Sequence, residues 1–251
     1  MSKKAVISLS GGLDSTMLLM TLLNEGYEVR AYAFDYGQKH TIELEKVQKN
    51  IHFLQEEKHL PVTLQIINLR DCFSDSASSL YSGNTEDIPQ GHYKEESMRS
   101  TIVENRNVIF GSIIYGKALG WANKTQEDVV ITLGIHAGDH TIYPDTTPES
   151  QEAARNLFKI SNWGSERVDY IAPFAYYSKS EVLNCGVEAM GDMNFFEEDI
   201  NYILSNTHSC YSPDNEGRSC GKCGTCVERL ETFHNCLMVD PIEYVDDVVV
   251  V

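Results

Sequence analysis

The chain has 251 residues and a mass of 28.3 kDa, the size of one large domain or of one domain with a small appendage. Hydrophobic residues make up 42% and charged residues 23%, a mix that supports a buried core and excludes a disordered chain. Asp and Glu number 37 against 20 Lys and Arg, for a formal net charge of −17. That surface repels phosphate backbones and excludes bulk electrostatic binding to nucleic acid, while leaving room for a local basic pocket.

In chain order, residues 5–9 read as a buried strand, followed by a Ser-Gly-Gly turn. Residues 14–24 carry helical spacing through Met17, Leu18 and Leu22, and Gly26 stops them. A second strand is predicted over 27–34, a helix over 42–55 and a third strand over 62–69. Strand–helix alternation of this kind implies an α/β fold with a parallel, doubly wound sheet and helices on both faces. Residues 71–100 are polar and read as a long functional loop. A helix is predicted over 107–119, a fourth strand over 129–135 and a helix over 148–160. A last helix spans 178–190, with Ser178 as its cap and Glu181 three residues on. From 191 onward the chain reads as short elements built around cysteines, with residues 248–251 a frayed end or an edge strand. The expected organisation is a nucleotide-binding α/β domain over 1–190 with a metal-binding region over 191–251 packed on it. No apolar run approaches the ~20 residues of a membrane helix. The start, Met1-Ser2-Lys3-Lys4, leads into an apolar stretch too short for a secretory signal. A soluble, cytoplasmic protein is expected.

Ser10-Gly11-Gly12-Leu13-Asp14-Ser15 falls between the first strand and the first helix. Two glycines let the backbone approach a ligand closely, and the unpaired amides of the following helical turn bind oxyanions. Hydroxyls of Ser10, Ser15 and Thr16 add donors. The candidate ATP-binding stretch runs from Leu9 through Ser10, Gly11, Gly12, Leu13, Asp14, Ser15, Thr16, Met17 and Leu18 to Leu19. The loop lacks the Gly-Lys-Ser/Thr of a Walker motif, which argues against γ-phosphoryl transfer. It resembles the pyrophosphate-loop family of ATP enzymes, a resemblance that implies cleavage between the α- and β-phosphates with AMP passed to the substrate.

There are seven cysteines. Four of them, Cys210, Cys220, Cys223 and Cys226, cluster with glycines between the last three. Clustered thiolates in a chain of this kind suit a closed tetrahedral zinc site with a structural role. An iron–sulfur cluster uses similar spacing, and free thiols are the remaining reading. Cys72, Cys185 and Cys236 stand alone.

Several segments between these anchors are too polar for core. They hold Tyr36, Gln38 and His40, then His92 and Tyr93, then Arg106 and Asn107, then His136, Asp139 and His140, then Tyr143 and Asp145. Two of them directly follow predicted strands, where an open α/β sheet forms its ligand crevice. Arg106 suits a carboxylate or phosphate. Lys179 suits departing phosphates as a point charge. Asp14, Asp139 and Asp145 suit Mg²⁺, and the histidines suit proton handling. Asp14, Arg106, Asp139, Asp145 and Lys179 are the candidate catalytic residues. Tyr36, Gln38, His40, His92, Tyr93, Arg106, Asn107, His136, Asp139, Tyr143 and Asp145 are the candidate substrate contacts.

From residue 5 to about 244 the chain resembles the 7-cyano-7-deazaguanine synthase family of the queuosine and archaeosine pathways. The motifs are Ser-Gly-Gly-Leu-Asp-Ser, Tyr-Gly-Gln-Lys-His with Glu43, Gly-His-Tyr, Arg106-Asn107, Gly-Ile-His-Ala-Gly-Asp-His, Tyr-Pro-Asp, and Ser-Cys-Tyr followed by Cys-Gly-Lys-Cys-Gly-Thr-Cys-Val-Glu-Arg. The resemblance implies a zinc-bearing tail and a homodimer. It also implies adenylation of the carboxylate of 7-carboxy-7-deazaguanine, attack by ammonia to give the amide, and a second adenylation that leaves the nitrile. The substrate would be a free base. With no stretch left for a glutaminase, ammonia would come free or from a partner. The chain departs from the family pattern at Glu104 (Pro), at Thr146-Thr147 (Cys-Arg) and at His208 (often Trp), and it carries extra residues around 199–206. Those differences are expected near the substrate pocket. Two alternatives follow from them. One is a paralogue that passes the acyl group to an amine of a protein partner, since proteins resembling the family occur in antiviral defence clusters. The other is a nucleotide-binding module without turnover.

Overall fold

The computed structural model describes residues 3–92, 96–138 and 143–246. Five parallel strands lie in the order β3-β2-β1-β4-β5: β1 (Lys3–Ser8), β2 (Tyr27–Asp35), β3 (Val62–Asn68), β4 (Val129–Leu133) and β5 (Val168–Tyr170). Register aligns Ser8 with Tyr32 on one side and with Leu133 on the other. The chain steps outward from β1 to β2 and β3, then returns to place β4 on the other side of β1. The carboxyl ends of β1 and β4 therefore flank the point where strand order reverses, the usual place for a ligand crevice. β5 is a finding beyond the expected strands. Its three residues, Val168-Asp169-Tyr170, are too few to show a period.

Seven helices are described. They are α1 (Leu13–Asn24), α2 (Ile42–Glu56), α3 (Arg106–Thr125), α4 (Pro148–Ser161), α5 (Lys179–Asp192), α6 (Glu197–Ser205) and α7 (Gly224–Asn235). Alternation along the strands divides the core. Ala5 and Ile7 of β1 and Val29, Ala31 and Ala33 of β2 face α1, α2, α5, α6 and α7. Val6, Tyr32 and Phe34 face α3 and α4 on the opposite side. α1 and α5 pack closely because Gly186 has no side chain; a Cβ there would fall 2.7 Å from Met17 Cβ. The expected cap of α5 is present. Ser178 Oγ accepts the Glu181 N–H at 3.3 Å, and Glu181 Oε2 accepts the Ser178 N–H at 2.7 Å.

The tail is more helical than its sequence suggested. α6 is formed by the residues around 199–206 and packs on the outside of α2. Lys46 Nζ donates to Ser205 O at 3.1 Å, Asn50 Nδ2 to Ile203 O at 3.0 Å, and Lys58 pairs with Asp199. This segment therefore builds core with Ile203 and Leu204 and does not extend the pocket, contrary to expectation. α7 begins inside the cysteine motif, which masked it. Its Arg229, fully buried, donates to Asp240 at 2.7 and 2.9 Å, to Thr207 Oγ1 at 2.7 Å and to Leu204 O at 3.3 Å. One guanidinium thus joins α7, the end of α6 and the following segment, with its charge matched by a carboxylate as burial requires.

Residues 74–84, part of the polar segment, are packed down. Leu80 is fully buried, Lys39 N donates to Leu80 O at 2.9 Å, and Ser79 N donates to Ser100 O at 2.7 Å. No helix among the described residues is long and apolar enough to cross a membrane. Residues 248–251 lie outside the described residues.

Candidate active site

After β1 the chain turns through Gly11 at φ +89°, a left-handed conformation that glycine adopts without strain. A Cβ on Gly11 would sit 2.5 Å from Glu43 O, so the first turn of α2 abuts the loop. Gly11 O accepts the backbone N–H of His208 at 2.8 Å, which fastens the tail to the same loop. Gly12 caps α1 in extended conformation. Ser10 Oγ lies 3.0 Å from Ser15 Oγ and accepts the Gly12 N–H at 3.2 Å. Gly134, after β4, comes so close that a Cβ would meet Ser15 N at 2.8 Å. The result is a bare rim of amides and hydroxyls at the start of a twelve-residue helix, a cradle for an oxyanion. Leu9, Met17, Leu18 and Leu19 lie in the core and Thr16 turns its hydroxyl back to Gly12 O at 2.8 Å. The part of the predicted ATP stretch that lines the cavity is therefore Ser10, Gly12, Leu13, Asp14 and Ser15.

Asp14, in the first turn of α1, meets Lys179 Nζ at 3.1 Å through Oδ2 and His136 Nε2 at 3.7 Å. Its Oδ1 is buried without a hydrogen-bond partner. Burial pushes the carboxyl pKa up, but Lys179 and then His136 outweigh it and hold Asp14 below the usual carboxylate range. Lys179, the first residue of α5, also meets Glu228 at 2.8 Å. Glu228 was not foreseen as a site residue; it reaches the loop only because α7 docks there. His136 is fully buried, and the Gly138 N–H donates to its Nδ1 at 3.0 Å. That assigns the ring hydrogen to Nε2, on the side of Asp14.

Asp14 and Lys179 share a cavity of about 190 Å³ with a second cluster of lining residues that includes Tyr36, His40, Glu43, Arg106, Asn107 and Tyr143; His136, a predicted substrate contact, is buried behind Asp14 and does not line it. Arg106 Nη1 donates to Tyr36 Oη at 3.3 Å and its Nε to Asn107 Oδ1 at 3.5 Å, both neutral groups. Tyr143 Oη lies 3.1 Å from Thr101 Oγ1 and 3.4 Å from Tyr211 Oη. Burial pushes the Tyr36 hydroxyl up to about 12. Burial, reinforced by His208 and Arg106, lowers His40 to about 3, so its imidazole is neutral at pH 7. Burial raises Glu43 to about 8 against the pull of Gln38 and Arg106, which keeps most of that carboxyl protonated at pH 7.

The remaining predicted contacts fall elsewhere. Gln38 is buried and fully engaged. Its Oε1 accepts the Tyr36 N–H at 2.9 Å, and its Nε2 donates to Phe34 O at 3.1 Å and Glu43 Oε1 at 2.8 Å. His92 is exposed beside Glu231, 3.6 Å away, and does not line the cavity. Asp145 lines an adjoining cavity with Asn105 and Pro144. Tyr93, Asp139 and His140 lie outside the described residues. Glu104 does not place its charge in the crevice; it accepts from Ser76 Oγ at 2.6 Å and Ala77 N at 3.1 Å and so holds the polar segment. Thr147 caps α4 by accepting the Ser150 N–H at 3.3 Å, and Thr146 lines the cavity.

Sγ atoms of Cys210, Cys220, Cys223 and Cys226 all lie within 4.8 Å of one another. Amides of Ser212 and Cys220 donate to Cys210 Sγ at 3.3 and 3.2 Å, and those of Lys222 and Cys223 to Cys220 Sγ at 3.4 and 3.3 Å. Such donors favour thiolates, the form that binds a metal. His208, Ser209, Tyr211 and Thr225, interleaved with these ligands, line the cavity. The four-cysteine knuckle is thus one of the walls.

A parallel sheet that opens at β1 into a Ser-Gly-Gly oxyanion loop, closed over by a four-cysteine knuckle, defines a pyrophosphate-loop α/β protein. Within that class the chain belongs to the 7-cyano-7-deazaguanine synthase family: the family model described as queuosine biosynthesis protein QueC matches residues 4–237. It is 39% identical over 244 residues to a 7-cyano-7-deazaguanine synthase of Marinomonas sp. (strain MWYL1), covering 97% of this chain and 99% of that one. A synthase of the same name from Methanoregula boonei is 39% identical over 241 residues, covering 96% of this chain and 99% of its own. Among solved structures, a 4-thiouridine synthetase–RNA complex with bound ATP covers 91% of this chain and 50% of its own, at 18% identity and a TM-score of 0.46, too distant to carry a function.

Proposed function

We propose that this chain is an ATP-dependent ligase that converts 7-carboxy-7-deazaguanine and ammonia, through the amide, to 7-cyano-7-deazaguanine. The observation that carries this reading is the pairing of two anion receptors in one cavity. The Ser10–Ser15 loop is one, and Arg106, hydrogen-bonded among the described residues only to neutral groups, is the other. The loop suits the β- and γ-phosphates of ATP as they depart. Arg106 suits the substrate carboxylate.

A carboxylate oxygen attacks the α-phosphorus and pyrophosphate leaves. Ammonia then attacks the acyl carbon, AMP leaves with that oxygen, and a proton is lost, giving the amide. The amide oxygen attacks the α-phosphorus of a second ATP and a second pyrophosphate leaves. Loss of AMP and the two amide protons leaves the carbon–nitrogen triple bond. Lys179 is held by Asp14 and Glu228 at the loop, a fixed positive charge beside the leaving pyrophosphate. His136 lies 3.7 Å from Asp14 on the other side.

Mg²⁺ fits Asp14, whose Oδ1 is buried without a partner; the ion would supply charge neutralisation for pyrophosphate. Zinc fits the four cysteines. Tetrahedral Zn–S bonds of about 2.3 Å put sulfurs about 3.8 Å apart, and Cys220 Sγ and Cys226 Sγ lie 4.0 Å apart. An iron–sulfur cluster, with several iron atoms inside the shell, needs a wider one. Zinc there would fix the knuckle and hold His208 and Tyr211 against the cavity.

The purified zinc-loaded protein, given ATP, Mg²⁺, 7-carboxy-7-deazaguanine and ammonium, should form the nitrile with two AMP per nitrile, read by mass spectrometry and nucleotide analysis. ATP turnover that stops at the adenylate or amide would refute the nitrile as product. No ATP consumption would refute the ligase reading.

A further inference from the structure

We propose that Glu43 determines specificity for the base by accepting hydrogen bonds from the donor edge of the deazaguanine ring, an inference that rests on the ligase reading above. A guanine-type ring presents two adjacent donors, the ring N1–H and the exocyclic 2-amino group. One carboxylate, with an acceptor on each oxygen, matches both. Only two acidic residues line the described cavity, Asp14 and Glu43. Asp14 is bound to Lys179 beside the phosphate loop.

Glu43 is differently placed. It sits in the first turn of α2, on the same stripe as buried Val47 and Ile51, and its backbone is fixed against Gly11. Its Oε1 is held by Gln38 Nε2 at 2.8 Å, and Gln38 is anchored in turn by Tyr36 N and Phe34 O. Its Oε2 lies 3.7 Å from His40 Nε2, beyond hydrogen-bond distance, and that imidazole is uncharged at neutral pH. A carboxyl this buried, near the Arg106 charge but in no ion pair with it among the described residues, is a costly way to hold one glutamine. The cost is explained if a ligand supplies the missing donors. Rings of Tyr36, Phe110, Tyr143 and Tyr211 line the same cavity and suit a planar base. Arg106 takes the carboxylate, so Arg106 and Glu43 divide the two ends of one substrate. Donors from the base would draw Glu43 into its ionised form on binding.

The test compares 7-carboxy-7-deazaguanine with the analogue that lacks the 2-amino group, using wild type, E43Q and E43D, with ATP affinity measured on each. Wild type should prefer the 2-amino substrate by about 100-fold in kcat/KM, since a buried acceptor left unpaired penalises the analogue. E43Q should narrow that preference to about threefold while binding ATP within about twofold of wild type. E43D, which keeps a carboxylate one methylene short, should retain about a tenth of the preference. It decides the matter should E43Q lose ATP binding through misfolding. An unchanged preference in E43Q, or in E43D, would overturn the assignment and leave Glu43 as a support for Gln38. A wild-type protein that turns over neither base would overturn the ligase reading itself, and this inference with it.

Discussion

The backbone N–H of His208 donates to the carbonyl of Gly11 at 2.8 Å. Two residues 197 positions apart thereby join the four-cysteine knuckle to the Ser-Gly-Gly loop, since His208 Nε2 also meets the carbonyl of Cys210 at 2.8 Å. The knuckle and the Ser-Gly-Gly loop are one mechanical unit.

Removing the metal should therefore damage nucleotide binding and not only the tail. Chelation, or C226S, should weaken ATP affinity at least tenfold and expose the region after residue 206 to protease, while the sheet keeps its far-ultraviolet circular dichroism. Calorimetric titration with ATP before and after chelation checks this. ATP affinity that survives metal loss would show that the loop stands without the knuckle.

G11A should be among the most damaging single changes. A methyl at φ +89° is strained, and it would lie 2.5 Å from Glu43 O, a backbone atom of α2 that cannot swing aside. Destabilisation of about 2–4 kcal/mol and loss of detectable ATP binding are expected, from urea unfolding and titration. Gly26 also has a positive φ, of +81°, but a Cβ there meets nothing within 4 Å. G26A should cost about 1 kcal/mol and leave ATP affinity unchanged.

K179M should act on chemistry more than on binding. It removes the cation between Asp14 and Glu228, so a fall of about 100-fold or more in kcat is expected, with a smaller rise in KM for ATP. Sign follows for pH as well. Lys179 holds the Asp14 carboxyl below its ordinary range, so the stability that Asp14 contributes is present above the unfolded value and lost as pH falls through the folded one. In K179M that loss should begin at higher pH, read from acid unfolding midpoints.

Glu43 gives the opposite sign. Its folded pKa of about 8 lies above the unfolded value near 4.5. Below 4.5 both states are protonated. Between 4.5 and 8 unfolding releases a proton, so stability falls as pH rises, and above 8 the penalty is complete. E43Q removes this dependence. Its stability relative to wild type should increase from pH 5 to pH 9 by on the order of a few kcal/mol. Urea midpoints at pH 5, 7 and 9 check it; a difference independent of pH would contradict it.

Much of the fold was legible because its signals are local. The Ser10–Ser15 loop, the helix after it and the capping box at Ser178 each lie within a few consecutive residues. Lys179 was marked by that same box, although its partner Asp14 is 165 positions away. What escaped were elements too short or too mixed to show a period. β5 has three residues, and α7 starts within the cysteine spacing that drew the eye to metal. Glu228 and Tyr211 escaped as site residues for a different reason: only docking of the tail brings Tyr211 to the cavity and Glu228 to Lys179. Glu43 did leave a trace. It falls on the buried stripe of α2 with Val47 and Ile51, and an acidic residue on an apolar face signals either a partner or a ligand. Gln38 shows the converse error, since a polar residue in a motif after a strand can serve the turn itself.

The central claim is that the substrate carboxylate attacks the α-phosphorus of ATP. Supplying 7-carboxy-7-deazaguanine with both carboxylate oxygens labelled as ¹⁸O tests it most directly. Each of the two AMP molecules released per nitrile should carry one labelled oxygen, and pyrophosphate should carry none. Label in pyrophosphate or phosphate, or unlabelled AMP beside a finished nitrile, would contradict the account.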